Sequence, residues 1–326
     1  MCSATWVASR SHCRVHFISP AEQPPAMTDP EFFVHISPNG DYVSSEFFRE
    51  TANRAAAAGF DGILAGDHVV LPGAIPDEYP YSETGEYWST SSDDSYEVFQ
   101  TLSYLAGHTE DLVFGTNVAV APYRHPVLLA KNALTAAALS NGRFELGIGV
   151  GWLRTEFEVL DVPFAERGSR TDEFLRLFER VLDDGELAFD GPHHTFQETG
   201  FHPVPDGNLP VWIGGDSGAT FRRVAEFGDG WTAARLDPSA LADRYARLLD
   251  AWHDYDRDGE PAVALMDRCR LDGTDSHGGS PFVGAAEDVR TAVGDYVDRG
   301  VDRIVIVVDD EFEHLDRFGA EVVGAV

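Results

Sequence analysis

Apolar residues recur along this chain in two alternating rhythms, every second position over short runs and every third or fourth over longer ones. The first short run is "FFVHI", Phe32–Ile36, and a helical pattern follows from Ser44 to a C-capping Gly59. "FDGILA", Phe60–Ala65, reads as the second strand. It opens into a long polar excursion over 67–94 rich in Tyr, Ser, Pro and Asp. Asp94 and Glu97 have the spacing of a capping box before a helix ending near His108. "LVFGTNVAV", Leu112–Val120, predicts a third strand, followed by a helix over Pro126–Ser140. The fourth strand is "RFELGIGVGW", Arg143–Trp152, with helices on either side of Pro163. Residues 186–208 have hairpin character. Four more strands follow at Pro210–Gly215, Gly230–Ala234, Ala262–Arg268 and Asp302–Val308, with helices between them that start at features such as Pro238 and Glu287-Asp288.

Eight strand–helix units without a second compositional block predict an α/β fold of the (β/α)8 TIM-barrel type. The insertions fall after strands two and four, and residues 27–326 form one domain. The rival is a doubly wound open sheet, which binds dinucleotides through G-x-G-x-x-G. That fingerprint fails here: from Gly147 the third position is Trp152, and from Gly149 it is Arg154. In a barrel, the glycines at 147, 149 and 151 serve another purpose. Phe144, Leu146, Ile148 and Val150 share one face of the strand, and the bare opposite face makes room inside. Gly147 and Gly149 are expected to accommodate packing layers, and Gly151 to let a cofactor approach at the mouth.

Charge narrows the partners. The 55 acidic residues against 24 basic ones leave a formal charge of −31, which would repel nucleic acid. No apolar run reaches the roughly eighteen residues of a membrane span. Acids are spread along the chain among aromatic and β-branched residues, and Lys131 is the only lysine. Such a surface resembles those of proteins from salt-accumulating halophiles. The stretch 112–171 stands apart, with six cations and five acids. It reads either as a neutral patch that spares an anionic ligand from repulsion or as buried strands that carry few acids. Cys2, Cys13 and Cys269 lack metal-type spacing and suit a reducing cytoplasm. Residues 1–26 differ from the rest and lack the apolar stretch of a signal peptide. They read as a disordered or non-native leader before a start at Met27, or as a short structured extension.

Barrel sites collect on loops after the C-terminal ends of strands. Four loops there carry chemistry: "AGDHVVLP", "GTNVAVAPYRHP", "GVGWLRTEFE" and "GGDSGAT", the last a glycine-rich turn opening a helix. A helix start with free amides suits phosphate. From about residue 31 to 308 the chain resembles the luciferase-like monooxygenase superfamily, and within it the branch that uses the deazaflavin coenzyme F420. The resemblance is carried by "GFDGILAGDHVVLP", "APYRHPVLLAKNALTAAALSNGRFELGIGVGWLRTEFEVLDVPFAERGSR" and "PVWIGGDSGATFRRVAEFGDGW". It implies that Asp67 binds the cofactor and that His68 donates a proton or steers the substrate. It also implies a non-proline cis peptide at Asn117–Val118, forming a bulge that backs the ring. The turn Gly214-Gly215-Asp216-Ser217, with Thr220, would hold the phosphate end, provided the Asp216 side chain turns away to cap the helix. Sugar-phosphate dehydrogenases of this branch place a catalytic glutamate just after the strand-four glycine, where this chain has Trp152.

Three functions follow from the resemblance. The first is an F420-dependent oxidoreductase acting on a small organic substrate. The second is an FMN-dependent two-component monooxygenase that uses O2 and flavin from a partner reductase. The third is a non-catalytic flavin-binding protein. Tyr79, Tyr81, Tyr87 and Trp88 form either a lid over an apolar substrate or part of a homodimer interface. His193-His194 looks like half a metal site, but no third ligand follows at zinc spacing, and the pair reads as a loop. The acidic surface gives the first prediction. Exchanging molar for millimolar salt lengthens the Debye screening distance well beyond about 3 Å and should lower the melting temperature. An unchanged melting temperature would contradict the halophilic reading.

Overall fold

A computed structural model of the chain describes residues 29–73, 75, 78–79, 85–205, 209–271, 280–307 and 312–325. The leader 1–26 and Tyr81 lie outside these residues. Eight parallel strands form the barrel: β1 (Glu31–Ile36), β2 (Gly62–Ala65), β3 (Val113–Thr116), β4 (Phe144–Gly149), β5 (Val211–Gly214), β6 (Gly230–Ala234), β7 (Ala262–Leu271) and β8 (Arg303–Val307). Each pairs with its neighbours in sequence. β8 pairs back onto β1 and β4 pairs onto β5, so the ring closes without an edge.

Helices surround the ring: α1 (Ser45–Ala57), α2 (Val98–Ala106), α3 (Pro126–Leu139), α4 (Arg154–Val159), α5 (Arg167–Asp184), α6 (Gly218–Phe227), α7 (Pro238–Asp254), α8 (Ala286–Val297) and α9 (Phe312–Glu321). Their ends follow local chemistry. Ser44 caps α1 by accepting from the Phe47 amide, and Asp237 caps α7 through the amides of Ser239 and Ala240. The expected capping box before α2 is corrected in one respect. Glu97 is itself the cap, accepting from the Gln100 amide at 2.8 Å, while Asp94 pairs in a two-residue ribbon with Gly40. Between β4 and β5 the chain inserts α4, α5 and an antiparallel hairpin, Glu186–Asp190 with Thr195–Gly200. No helix among the described residues is long and apolar enough to cross a membrane.

The period-two pattern divides each strand between two cores. Phe32, Val34 and Ile36 of β1 and Phe144, Leu146 and Ile148 of β4 face outward into the layer beneath the helices. Phe33, Leu64, Trp212, Ala264 and Val305 pack inside the ring. At the end where the strands start, the Arg303 guanidinium lies 3.9 Å from the Phe33 ring centroid and 4.4 Å from that of Trp212. Glu145 and Glu31 both accept from it at 2.6 Å. A buried cation is tolerated there because carboxylates and ring faces replace its water.

Nearer the mouth, the inward face of β4 is bare, as the glycine spacing implies, and protein fills the space. A Cβ on Gly147 would collide with the Thr116 carbonyl, and one on Gly149 with a Val118 methyl. Gly147→Ala should therefore cost roughly 2–3 kcal/mol of stability through overpacking against backbone. Chemical denaturation checks this, and a change below about 0.5 kcal/mol, the level of a neutral surface substitution, would contradict it.

Candidate active site

The floor of the site begins where β3 stops. The predicted nine-residue strand is interrupted: Val113–Thr116 and Ala119–Val120 are extended, and the Asn117–Val118 peptide between them is cis, as expected. Val118 turns its methyls toward three glycines, Gly147 and Gly149 of β4 and Gly214 of β5. Asn117 is tied on every side. Its amide donates to the Ala65 carbonyl at 2.7 Å, and its Nδ2 to the Met266 sulfur at 3.4 Å. Its Oδ1 accepts from the Thr232 hydroxyl at 2.9 Å. Its carbonyl lies 3.2 Å from His35 Nε2. A carbonyl only accepts, so Nε2 carries the His35 proton and Nδ1 is a bare, buried acceptor. Burial drops the His35 pKa to about 4 despite that hydrogen bond.

The adjacent loop carries the Asp67-His68 pair, and the structure gives the two residues different tasks. Asp67 was expected against the cofactor, but its carboxylate has 0% exposure. Arg124 grips both oxygens at 2.6 and 2.9 Å, and the Val120 amide donates at 2.9 Å. All its strong acceptor positions point into protein, so the carboxylate fastens the loop after β2 to the loop after β3. Arg124 continues to Glu97 at 2.6 Å.

His68 keeps 11% exposure, and its Nδ1 meets Glu156 Oε2 at 2.7 Å. Glu156 comes from α4, is wholly buried, and takes the Val69 and Val70 amides on its other oxygen at 2.7 and 3.2 Å. Around the imidazole stand Tyr87 at 5.1 Å and Trp152 at 6.1 Å between ring centroids. Tyr79 packs on both of them, each at 5.1 Å. Asn39 donates to the Tyr87 hydroxyl at 3.0 Å, and burial pushes that phenol's pKa up, keeping it neutral. Trp88 continues this wall outward, 5.4 Å from the Tyr87 ring and stacked on Tyr42 at 6.3 Å.

The other predicted residues fall into place less uniformly. Gly151 has φ +80, and the direction of a side chain there is occupied by Val120 and Phe157. A valine at 151 would therefore disturb the fold itself, so Gly151 answers to backbone conformation and packing before any cofactor. At the start of α6, Ser217 is the cap and accepts from the Thr220 amide at 3.2 Å. Gly215 has φ +117 and packs against the Thr220 side chain. Asp216 does turn away, but to Arg244 of α7 at 3.2 Å, not to cap the helix. The first amides of α6 have no acceptor within the helix and open toward the same end of the barrel.

Most cations of 112–171 serve internal acceptors, which favours the blander explanation of that neutral stretch. Arg143 binds the carbonyls of Leu112, Ala106 and Thr109, and Lys131 reaches the Phe201 and His202 carbonyls. His193 and His194 dock on the buried Glu173 through a backbone amide and Nδ1, at 2.6 and 2.5 Å. No cluster of three or more His, Cys, Asp or Glu able to hold a metal occurs among the described residues.

Residues 14–276 match the luciferase-like monooxygenase family model, and the chain belongs to that family of oxidoreductases. An uncharacterised protein of Mycobacterium tuberculosis is 31% identical over 62% of this chain and 70% of its own length. The F420-dependent glucose-6-phosphate dehydrogenase of Mycolicibacterium smegmatis is 26% identical over 66% of each chain. Among solved structures, an F420-dependent secondary alcohol dehydrogenase in complex with an F420-acetone adduct superposes with a TM-score of 0.75 at 14% identity. That superposition covers 92% of this chain and all of the other. The FMN complex of the oxygenating constituent of 3,6-diketocamphane monooxygenase, from a Pseudomonas putida plasmid, gives 0.72 at 13% identity, covering 91% and 98%.

The buried His35 sets a pH prediction. Its folded pKa of about 4 lies below the ordinary 6.5. Between those values the unfolded chain takes up a proton that the folded chain refuses. The associated stability is whole above 6.5 and falls as pH drops toward 4, by about 3 kcal/mol. His35→Gln should flatten that part of the stability–pH curve in urea titrations; parallel curves for the two proteins would contradict the assignment.

Proposed function

We propose that this luciferase-like oxidoreductase works with coenzyme F420 and moves a hydride to or from a small organic substrate at the barrel mouth. Its relatives divide between F420 and FMN. The reading is carried by one observation: His68, at the loop that borders the Asn117–Val118 floor, has one ring nitrogen held by a buried carboxylate and two aromatic rings beside it. That arrangement suits an acid–base group working next to a hydride transfer.

The residues present fit a deazaflavin. The Asn117–Val118 bulge, braced by Asn117's contacts to Ala65, Thr232, Met266 and His35, offers a rigid back for a flat ring. Ser217, Thr220 and the α6 amides offer donors for a phosphate, with the Gly215 backbone beside them. When bound, F420 supplies the hydride chemistry on its ring carbon. The chain's part is to orient the ring, exclude water and exchange the accompanying proton at His68. Tyr79, Tyr87 and Trp152 give the substrate an apolar wall, which favours a compact organic molecule over a sugar phosphate. FMN with a partner reductase is the competing reading, and a homodimer is the expected assembly.

Titrating the purified protein in high salt with F420 and with FMN decides the cofactor. Tight, fluorescence-quenching binding of F420 and weak binding of FMN is the expected result; the reverse overturns the proposal. His68→Ala should lower kcat by about 10²-fold or more while leaving F420 affinity within a few-fold. Turnover unchanged in that variant would remove His68 from the mechanism.

A further inference from the structure

We propose that Glu156 is the positioning residue of the site: its buried carboxylate fixes His68 in the Nδ1–H form and leaves Nε2 as the ring's only proton-exchanging atom. The inference rests on the acid–base role read above for His68. It concerns a residue that the Asp-His motif does not contain. Glu156 lies 88 positions from His68, on α4, and reaches it because the insertion after β4 folds back over the loop after β2.

The two oxygens of Glu156 divide their work. Oε1 takes the Val69 and Val70 amides, and Oε2 faces His68 Nδ1 at 2.7 Å. A carboxylate only accepts, so Nδ1 must carry a proton and Nε2 is left to exchange one. Asp67, the carboxylate adjacent in sequence, is committed to Arg124 and Val120 and cannot do this.

The geometry separates this role from mere loop anchoring. In Glu156→Gln the single amide oxygen is needed by the Val69 and Val70 amides, so the new –NH2 group turns to His68. A donor facing Nδ1 requires that nitrogen to be bare, and the ring proton moves to Nε2. The loop keeps its acceptor while the tautomer inverts.

Long-range ¹H–¹⁵N spectra of His68, recorded without cofactor, read this directly. Wild type should show the Nδ1–H tautomer and E156Q the Nε2–H tautomer. Activity with the cofactor identified by titration should fall about 10²-fold or more in kcat, with KM changed only a few-fold, as for a histidine locked in the wrong tautomer. E156D keeps a carboxylate and should retain Nδ1–H and recover part of kcat. A wild-type Nε2–H tautomer overturns the inference, whether or not E156Q folds. So does an E156Q protein that keeps Nδ1–H, or one whose inverted tautomer leaves kcat unchanged. Because the spectra need no cofactor, an inverted tautomer in a protein that binds FMN and not F420 supports Glu156 and removes only the choice of cofactor.

Discussion

The mouth of this barrel depends on where one valine side chain goes. Val118 cannot point outward into the helix layer, because the chain reverses its alternation at Asn117–Val118, and it cannot point inward unless its neighbours lack side chains. Gly147, Gly149 and Gly214 supply that space from two adjacent strands. With Val118 seated, Ala119 and Val120 rejoin β4 beside Ile148 and Gly149. The Val120 amide is then presented to Asp67, and the Asn117 side chain to Thr232 and Met266. One packing constraint thus sets the floor, the loop after β2 and the contacts to β6 and β7.

Two buried carboxylates organise what stands on that floor, and they divide the labour. Asp67 is neutralised by a bidentate arginine and serves as a fastener. Among the described residues Glu156 is paired with no arginine; it is held by two amides and an imidazole, with the buried Tyr123 phenol beside it. A buried charge satisfied by neutral donors exerts its field on the group it touches, and that group is His68. The chemistry of the loop therefore comes from the carboxylate that is distant in sequence, and the rigidity from the one that is adjacent.

The fold was legible because each of its causes is local. Short apolar runs marked all eight strands, and Ser44, Pro126, Pro238 and Gly185 sit where helix ends require them. Where two local signals competed, as with Asp94 and Glu97 before α2, spacing alone could not choose the cap. The break in the third strand came from the family likeness, since the spacing within "LVFGTNVAV" does not by itself say where the strand stops. α9 was not marked, although Asp309 and Asp310 precede it in the sequence. Asp67, His68, Asn117 and the α6 turn were singled out through the family likeness. Glu156, Arg124, His35, Thr232 and Tyr87 were missed because nothing in their spacing records that they meet. Asp67-His68 is a dipeptide, so the sequence drew attention to the neighbour in the chain when the electrostatic partner of His68 lies across the barrel mouth. Gly151 was assigned to a ligand when backbone conformation and Phe157 already account for it.

The central claim is that the floor at Asn117–Val118 and the histidine wall form one site for a deazaflavin ring. A crystal structure of the protein soaked with F420 in high salt tests it most directly. The account predicts the ring lying against Asn117–Val118, its phosphate end at the start of α6, and His68 Nε2 facing the ring's reactive edge with Nδ1 still on Glu156. A ring bound elsewhere, or a His68 turned away from Glu156 on binding, would contradict it.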